Sequence, residues 1–310
     1  MASDTRLGGT RRTGILFAVG TAVISGFAVF INGYGVRAWS DISDAATYTT
    51  LKNATAALIL VVVGVAAASR RDGNALDRAV ARGHWRGLTA IAVIGGSVPF
   101  LLFFEGLARA TSGDAAFIHK TLVVWVALLA VTLLRERIGP VHVVAIAILV
   151  AGQAALSGVG GIEFGSGEWM ILGATLLWAI ETVIAKRVLA DVPAATVGIA
   201  RMAGGSLILA AYVLVLGGFS NLGQLTGAHF GWIAVTGLTL AGYVGTWFAA
   251  LKRAPAVDVT AVLVGGALIT ALLESGVRGA AVPSIAGVAL VMVGVGLVGS
   301  RAWTRTAHSL

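Results

Sequence analysis

The chain has 310 residues, of which 57% are hydrophobic and only 12% are charged, and it contains no cysteine. A soluble fold of this size would have too little polar surface to cover itself, whereas a lipid bilayer accepts such a composition. The lack of cysteine excludes disulfides and thiolate chemistry. The net charge of +8 comes from basic residues that form no contiguous stripe and do not alternate with exposed aromatics, so we expect no nucleic-acid partner.

Ten apolar stretches follow one another along the chain, and each is long enough to cross about 30 Å of hydrocarbon as a helix. The sequence therefore predicts an all-α membrane protein with ten transmembrane helices, surrounded by a lipid bilayer. The predicted helices, named spans 1 to 10, cover residues 13–36, 45–68, 87–108, 114–134, 139–158, 167–187, 193–217, 229–250, 256–275 and 281–300.

The basic residues lie mostly in alternate gaps between the spans. Sixteen of the 22 lysines and arginines fall on the side of the N-terminus, three on the other side and three within spans. Because short loops rich in Lys and Arg stay in the cytoplasm, this bias predicts that both termini are cytoplasmic. We expect cytoplasmic tails at 1–12 and 301–310 and a location in the cell inner membrane.

The second half of the chain repeats the first. We expect repeats at 13–158 and 167–300, joined by a linker loop at 159–166. Each repeat holds five crossings, so the second must be inverted relative to the first, which is a transporter architecture. The matching positions include Gly14 with Gly167, Lys52 with Arg201, Asp114 with Asp258, and Pro140 with Pro283.

One motif makes the repeat more specific. Leu133-Leu134-Arg135-Glu136-Arg137 is followed by Pro140 and Gly152, and Leu272-Leu273-Glu274, Pro283 and Gly287 repeat this pattern more loosely. The pattern resembles the EamA repeat of the drug/metabolite transporter superfamily, and the resemblance covers nearly the whole chain as two such units. It implies ten helices with both ends inside and a role in transport. Overall likeness makes aromatic amino acid exporters of the YddG type the first relatives to compare.

Charged residues inside the spans are the first candidates for transport, because a charge in the bilayer is costly unless it faces water or a partner. Lys52 or Lys120 is predicted to hold a substrate carboxylate or phosphate, with Glu105 meeting an ammonium or balancing the lysines. A structural ion pair, or lysines that reach to the headgroups, is the alternative. Glu181 and Arg201 are predicted to form a salt bridge that acts as a gate or, equally, a permanent pair between two helices.

Aromatic and polar residues complete the predicted site. His119 is a candidate for proton coupling, although a histidine packed between helices is the commoner case. A second set could stack an apolar or aromatic substrate or simply pack in the core, and it comprises Phe100, Phe104, Trp178, Tyr243 and Trp247. Tyr48 and Asn32 are predicted to line the same outer cavity as the lysines.

These observations favour a secondary transporter that exports amino acids, including aromatic ones, or similar small amphipathic metabolites by alternating access. An exchanger of phosphorylated or nucleotide-linked anionic metabolites is the alternative, since the same cations suit it. A membrane scaffold or receptor is a third, more remote hypothesis. No catalytic triad or metal-ligand spacing can be assembled, so we expect no enzyme activity, metal or cofactor. One chain suffices for the cavity, and the oligomeric state stays open.

Overall fold

A computed structural model describes residues 2–39, 45–68, 83–107, 109–110, 112–157, 164–220 and 222–304. Every regular element within these ranges is a helix, which confirms the all-α prediction for this part of the chain. Helices suit such apolar sequence because they satisfy their own backbone hydrogen bonds where lipid offers none. Residues 159–163 of the predicted linker and 305–310 of the predicted C-terminal tail lie outside the described residues.

Nine stretches within the described ranges are long and apolar enough to cross a membrane. Each matches one of the predicted spans 1 to 9. Span 10 is the helix Ile285–Thr304, whose apolar part, Ile285–Ser300, is shorter than the other nine. The continuous helices among spans 1 to 9 are Ala2–Trp39 (span 1), Ala45–Ala68 (span 2), Pro140–Ser157 (span 5), Ser166–Val188 (span 6) and Gly227–Arg253 (span 8).

The other four spans are interrupted, which hydrophobicity did not predict. Gly265 and Thr121 separate the halves of spans 9 and 4, and they lie the same number of residues after Asp258 and Asp114. A one-turn helix, Leu222–Gln224, precedes span 8. The interrupted spans are Trp85–Ile94 with Val98–Leu107 (span 3), Ser112–Lys120 with Leu122–Leu133 (span 4), Ala194–Ile199 with a π-helix Ala200–Gly204 and Gly205–Val215 (span 7), and Ala256–Val264 with Gly266–Arg278 (span 9).

The strongest contacts between spans form matching pairs. Where two spans pack together, their counterparts in the other repeat also pack together. Span 1 packs on spans 8 and 9, and span 6 packs on spans 3 and 4. Spans 2, 4 and 5 each pack on their own counterparts, spans 7, 9 and 10. The two halves therefore interlock along their length instead of folding as separate bundles.

Two close backbone contacts follow the same exchange. A Cβ atom added to Gly14 would lie 2.9 Å from the Ala254 nitrogen, and one added to Gly167 would lie 2.9 Å from the Ala110 nitrogen. Any larger residue at either glycine would push two helices apart. Gly14 and Ala254 are the repeat counterparts of Gly167 and Ala110, so the sequence alignment of the repeats holds at the level of individual contacts.

Candidate functional site

A cavity of about 560 Å³ lies between spans 1 to 4 and 6 to 9. This volume is within the range of about 300–1,000 Å³ that is usual for small-molecule sites. The half of span 1 far from the N-terminus lines it, so the cavity lies on the side of the bundle away from that end of the chain. Eleven of the residues predicted from the sequence line it: Lys52, Lys120, His119, Asn32, Phe100, Phe104, Trp178, Tyr243, Trp247, Glu181 and Arg201.

Two lysines reach the cavity from different spans. The Lys52 ammonium donates a hydrogen bond to Asn32 Oδ1 at 3.1 Å and lies 5.2 Å and 5.5 Å from the ring centres of Phe104 and Tyr48. It is only 4% exposed. Lys120 ends the first half of span 4, and it makes no hydrogen bond or ion pair with any described residue. Two ammonium groups therefore reach the cavity with no carboxylate beside them in the described part of the chain.

Glu181 and Arg201 form a buried ion pair at the base of the cavity. Arg201 Nε lies 2.8 Å from Glu181 Oε1, and Nη2 lies 3.5 Å from Oε2. Arg201 belongs to the π-helical segment of span 7, an irregularity that is frequent at functional sites. Gly95, where span 3 is interrupted, makes room for the carboxylate, because a Cβ atom there would lie 2.5 Å from Glu181 Cγ.

An aromatic wall faces the charged residues. The Trp178 ring lies 5.6 Å from both Phe100 and Phe103 and 5.0 Å from the His119 ring. Its indole nitrogen donates to the Gly95 carbonyl at 3.1 Å, so the ring has a fixed orientation. This surface can stack an apolar or aromatic group. His119 Nδ1 is buried with no hydrogen-bond partner among the described residues.

A second aromatic pair is contributed by span 8. Tyr243 and Trp247 are one helical turn apart, and their rings stack at 6.2 Å with an interplanar angle of 8°. Trp247 is buried and Tyr243 is partly buried. Both line the cavity.

Two predicted residues lie away from the cavity. Glu105 pairs instead with Arg109, four residues further along the chain and just beyond the end of the helix Val98–Leu107, at 2.9 Å, and both side chains are about half exposed. Adjacent turns bring these groups together, so Glu105 does not balance the lysines. Tyr48 is fully buried and donates a hydrogen bond to Thr236 Oγ1 at 2.9 Å. Its ring centre lies 5.5 Å from the Lys52 ammonium.

The sequence interpretation missed several residues at the cavity mouth. The sequence predicts that span 9 ends at residue 275, but its helix continues to Arg278 and ends where Gly279 adopts φ 66°. The Arg278 guanidinium pairs with Glu274 at 2.7 Å and lies 4.2 Å from the ring centre of Tyr34. The spacing of Glu274 and Arg278, one helical turn, is a signal that could have predicted this extension. Phe103 and Arg37 also line the cavity.

The opposite end of the bundle is closed by charged contacts. Asp258 is 1% exposed and accepts a hydrogen bond from Arg11 at 2.6 Å, and His142 Nε2 lies 3.2 Å from its other oxygen. The Glu136 carboxylate accepts the backbone N–H of Ala256 at 2.8 Å, which places a negative charge at the start of span 9, where a helix favours it. These contacts join spans 1, 4, 5 and 9 at one end.

Spans 6 and 8 are joined at the same end by a reciprocal exchange. Lys186 on span 6 donates to the carbonyls of Leu251 and Ala254 at 2.5 Å and 2.6 Å. Lys252 on span 8 donates to the carbonyls of Leu189 and Val192 at 3.0 Å and 2.9 Å. Each lysine thus satisfies carbonyl groups that the end of the other helix leaves unpaired.

Comparisons with known proteins identify a family, a relative and a solved structure that are similar to this chain. The model of the EamA-like transporter family matches residues 12–158 and 165–301. An uncharacterized transporter of Synechocystis sp. is 23% identical over 194 residues, which cover 59% of this chain and 55% of the relative, so the chain spans about half of that protein's length. A solved crystal structure shares the fold with a TM-score of 0.73 and 19% identity, over 95% of this chain and 99% of the other.

Proposed function

The chain belongs to the EamA-like transporter family, and from this premise we propose that it is a secondary transporter exporting amino acids, including aromatic ones, or similar small amphipathic metabolites. The family and the Synechocystis relative are transporters, not enzymes, and membership makes the chain a multi-pass membrane transporter of small molecules. The scaffold or receptor hypothesis loses its support for the same reason.

One observation carries the substrate proposal. One cavity has two lysines, Lys52 and Lys120, that have no carboxylate partner among the described residues, and an aromatic wall built around Trp178. A substrate with an acidic group and an apolar body satisfies both surfaces at once. Charge-assisted hydrogen bonds fix the acidic group, and ring stacking holds the body.

We propose that transport proceeds by alternating access between two inverted repeats of five crossings, with both termini cytoplasmic and the protein in the cell inner membrane. The exchange of contacts between the repeats, the paired interruptions at Thr121 and Gly265 and the bias of basic residues support this arrangement. In it, the cavity faces outward, and the charged contacts around Asp258 close the cytoplasmic side. The Glu181–Arg201 pair at the base of the cavity then acts as the gate.

The exchange of phosphorylated or nucleotide-linked metabolites is a second candidate. It is favoured by the three cations Lys52, Lys120 and Arg201, all of which line the cavity. A phosphate ester brings more negative charge than a carboxylate, which suits this cation-rich surface. Counterflow with both substrate classes in proteoliposomes decides between the two candidates.

The Lys120→Met variant tests the proposal directly. Methionine keeps the length of the side chain and removes the charge, so we expect normal abundance and a loss of most transport in proteoliposomes. Lys120→Arg keeps a cation with a different shape, and we expect it to retain part of the activity. Glu105→Gln, which alters a surface pair outside the cavity, is the matched control. Full transport by the methionine variant, with both acidic and zwitterionic substrates, contradicts a role for Lys120.

A further inference from the structure

The two intramembrane cations Lys52 and Arg201 occupy matching positions in the repeats, yet among the described residues only Arg201 has a carboxylate partner. Arg201 is paired with Glu181 of span 6 at 2.8 Å. The register that matches Gly14 with Gly167 places Ala28 of span 1 at the position of Glu181. In the part of the chain that the structure describes, the duplicated site therefore has a cation in both halves and a carboxylate in one half.

The surroundings of Lys52 show what replaces the missing carboxylate. Asn32, one turn beyond Ala28, accepts the ammonium's hydrogen bond and donates its own amide to the Ala28 carbonyl at 2.8 Å. A neutral amide and two aromatic rings orient the ammonium without neutralising it. Ala28 lines the cavity, and its methyl side chain leaves open the space that a glutamate would fill.

The remaining carboxylates of the cavity are already paired. Glu181 bonds to Arg201, and Glu274 bonds to Arg278 at 2.7 Å. Lys120 adds a second ammonium with no partner among the described residues. Among the described residues that line the cavity, an incoming anion therefore meets two cations without a carboxylate partner, whereas an incoming ammonium meets only carboxylates that are already bound to an arginine.

We propose that an acidic group of the substrate occupies the place beside Lys52 that Glu181 occupies beside Arg201, with Lys120 as a second contact. The preferred substrates are therefore organic anions that combine a carboxylate or phosphate with an apolar or aromatic body and lack an ammonium group. This proposal rests on the proposed transport function and, within its substrate class, favours the similar small amphipathic metabolites over the amino acids themselves.

A substrate series on the unaltered protein tests the charge preference. Phenylpyruvate, phenylalanine, phenethylamine and phenyl phosphate share one ring and differ in charge. We expect proteoliposome counterflow to favour phenylpyruvate or phenyl phosphate over phenylalanine by about tenfold in KM, because the ammonium of phenylalanine is left without one charge-assisted hydrogen bond in the cavity, with phenethylamine excluded. The comparison of the two anions identifies the preferred acidic group.

The same series separates the two proposals. Phenylalanine transported as well as or better than phenylpyruvate overturns the anion preference and leaves the transporter proposal standing. If none of the four compounds, nor any amino acid or phosphorylated metabolite in a wider panel, moves faster than in protein-free liposomes, the proposed function itself is overturned.

Ala28→Glu and Ala28→Gln locate the acidic group. The two side chains have the same size, but only glutamate supplies an internal carboxylate to Lys52, as Glu181 does to Arg201. We expect the glutamate variant to bind the preferred anion at least about tenfold more weakly than the glutamine variant, with similar thermal stability of both. Equal anion affinities of these two folded variants place the acidic group elsewhere and overturn the assignment.

Discussion

The Glu181–Arg201 pair gives a quantitative test of how this transporter stabilises charge inside the bilayer. In Glu181→Gln the amide keeps the shape and one acceptor but removes the negative charge. The two side chains are 3% and 8% exposed, so water compensates little for the loss. Leaving one partner of a buried pair unpaired costs about 3–5 kcal/mol. Because the retained acceptor keeps one hydrogen bond, we expect a loss near the lower value, about 3 kcal/mol.

Thermal unfolding of purified protein measures this loss. At roughly 2 °C per kcal/mol for a chain of this size, the Tm of Glu181→Gln should fall by about 6 °C. The double variant Glu181→Gln/Arg201→Gln removes both charges and should recover most of that stability, since no uncompensated guanidinium stays buried. If the stability lost by the double variant equals the sum of the losses in Glu181→Gln and in Arg201→Gln, the two residues are not energetically coupled and the reasoning fails.

Three further predictions concern two other contacts and the topology of the chain. Asp258→Asn weakens the buried contact with Arg11 and His142. In the proposed cycle this favours opening at the Asp258 end and closing of the cavity, so a single cysteine placed at Ala116 in the cavity of this cysteine-free chain should react more slowly with a maleimide added on the cavity side. An unchanged rate shows that the contact does not hold the Asp258 end closed. Glu105→Gln should change the free energy of unfolding by less than about 1 kcal/mol, because exposed pairs contribute little, and a larger loss in thermal unfolding contradicts its surface placement. A reporter enzyme fused after Leu310 should be active only in the cytoplasm, and activity in the periplasm refutes the ten-crossing topology.

Hydrophobicity predicted the helices well and their irregularities poorly. Span 2 was predicted at 45–68 and is the helix Ala45–Ala68, because a long apolar run in lipid has no alternative to a helix. The interruption at Thr121 leaves the apolar pattern unchanged, so a window average cannot detect it. Span 9 was ended too early because the charges of Glu274 and Arg278 lower the mean hydropathy, although they neutralise each other on one face of the helix.

Charge within the spans identified much of the candidate site, because a bilayer makes each isolated charge costly. It placed Lys52, Lys120 and Arg201 among the residues that line the cavity, and their common location follows from the interlocking of the repeats. The same argument failed for Glu105, which lies near enough to a helix end to pair with Arg109 in an exposed position. The span in which a residue lies was predictable, whereas the direction in which a side chain points depends on packing that one sequence does not specify.

The reciprocal capping of spans 6 and 8 by Lys186 and Lys252 has a consequence for how this protein can evolve. These two spans carry Trp178, Tyr243 and Trp247, and the exchange ties their ends together. The described interruptions lie on spans 3, 4, 7 and 9, where we expect the movement of the proposed transport cycle. Substitutions at the three aromatic residues are therefore expected to change which molecule is accepted without altering the interrupted spans, so new substrates can be acquired by few mutations.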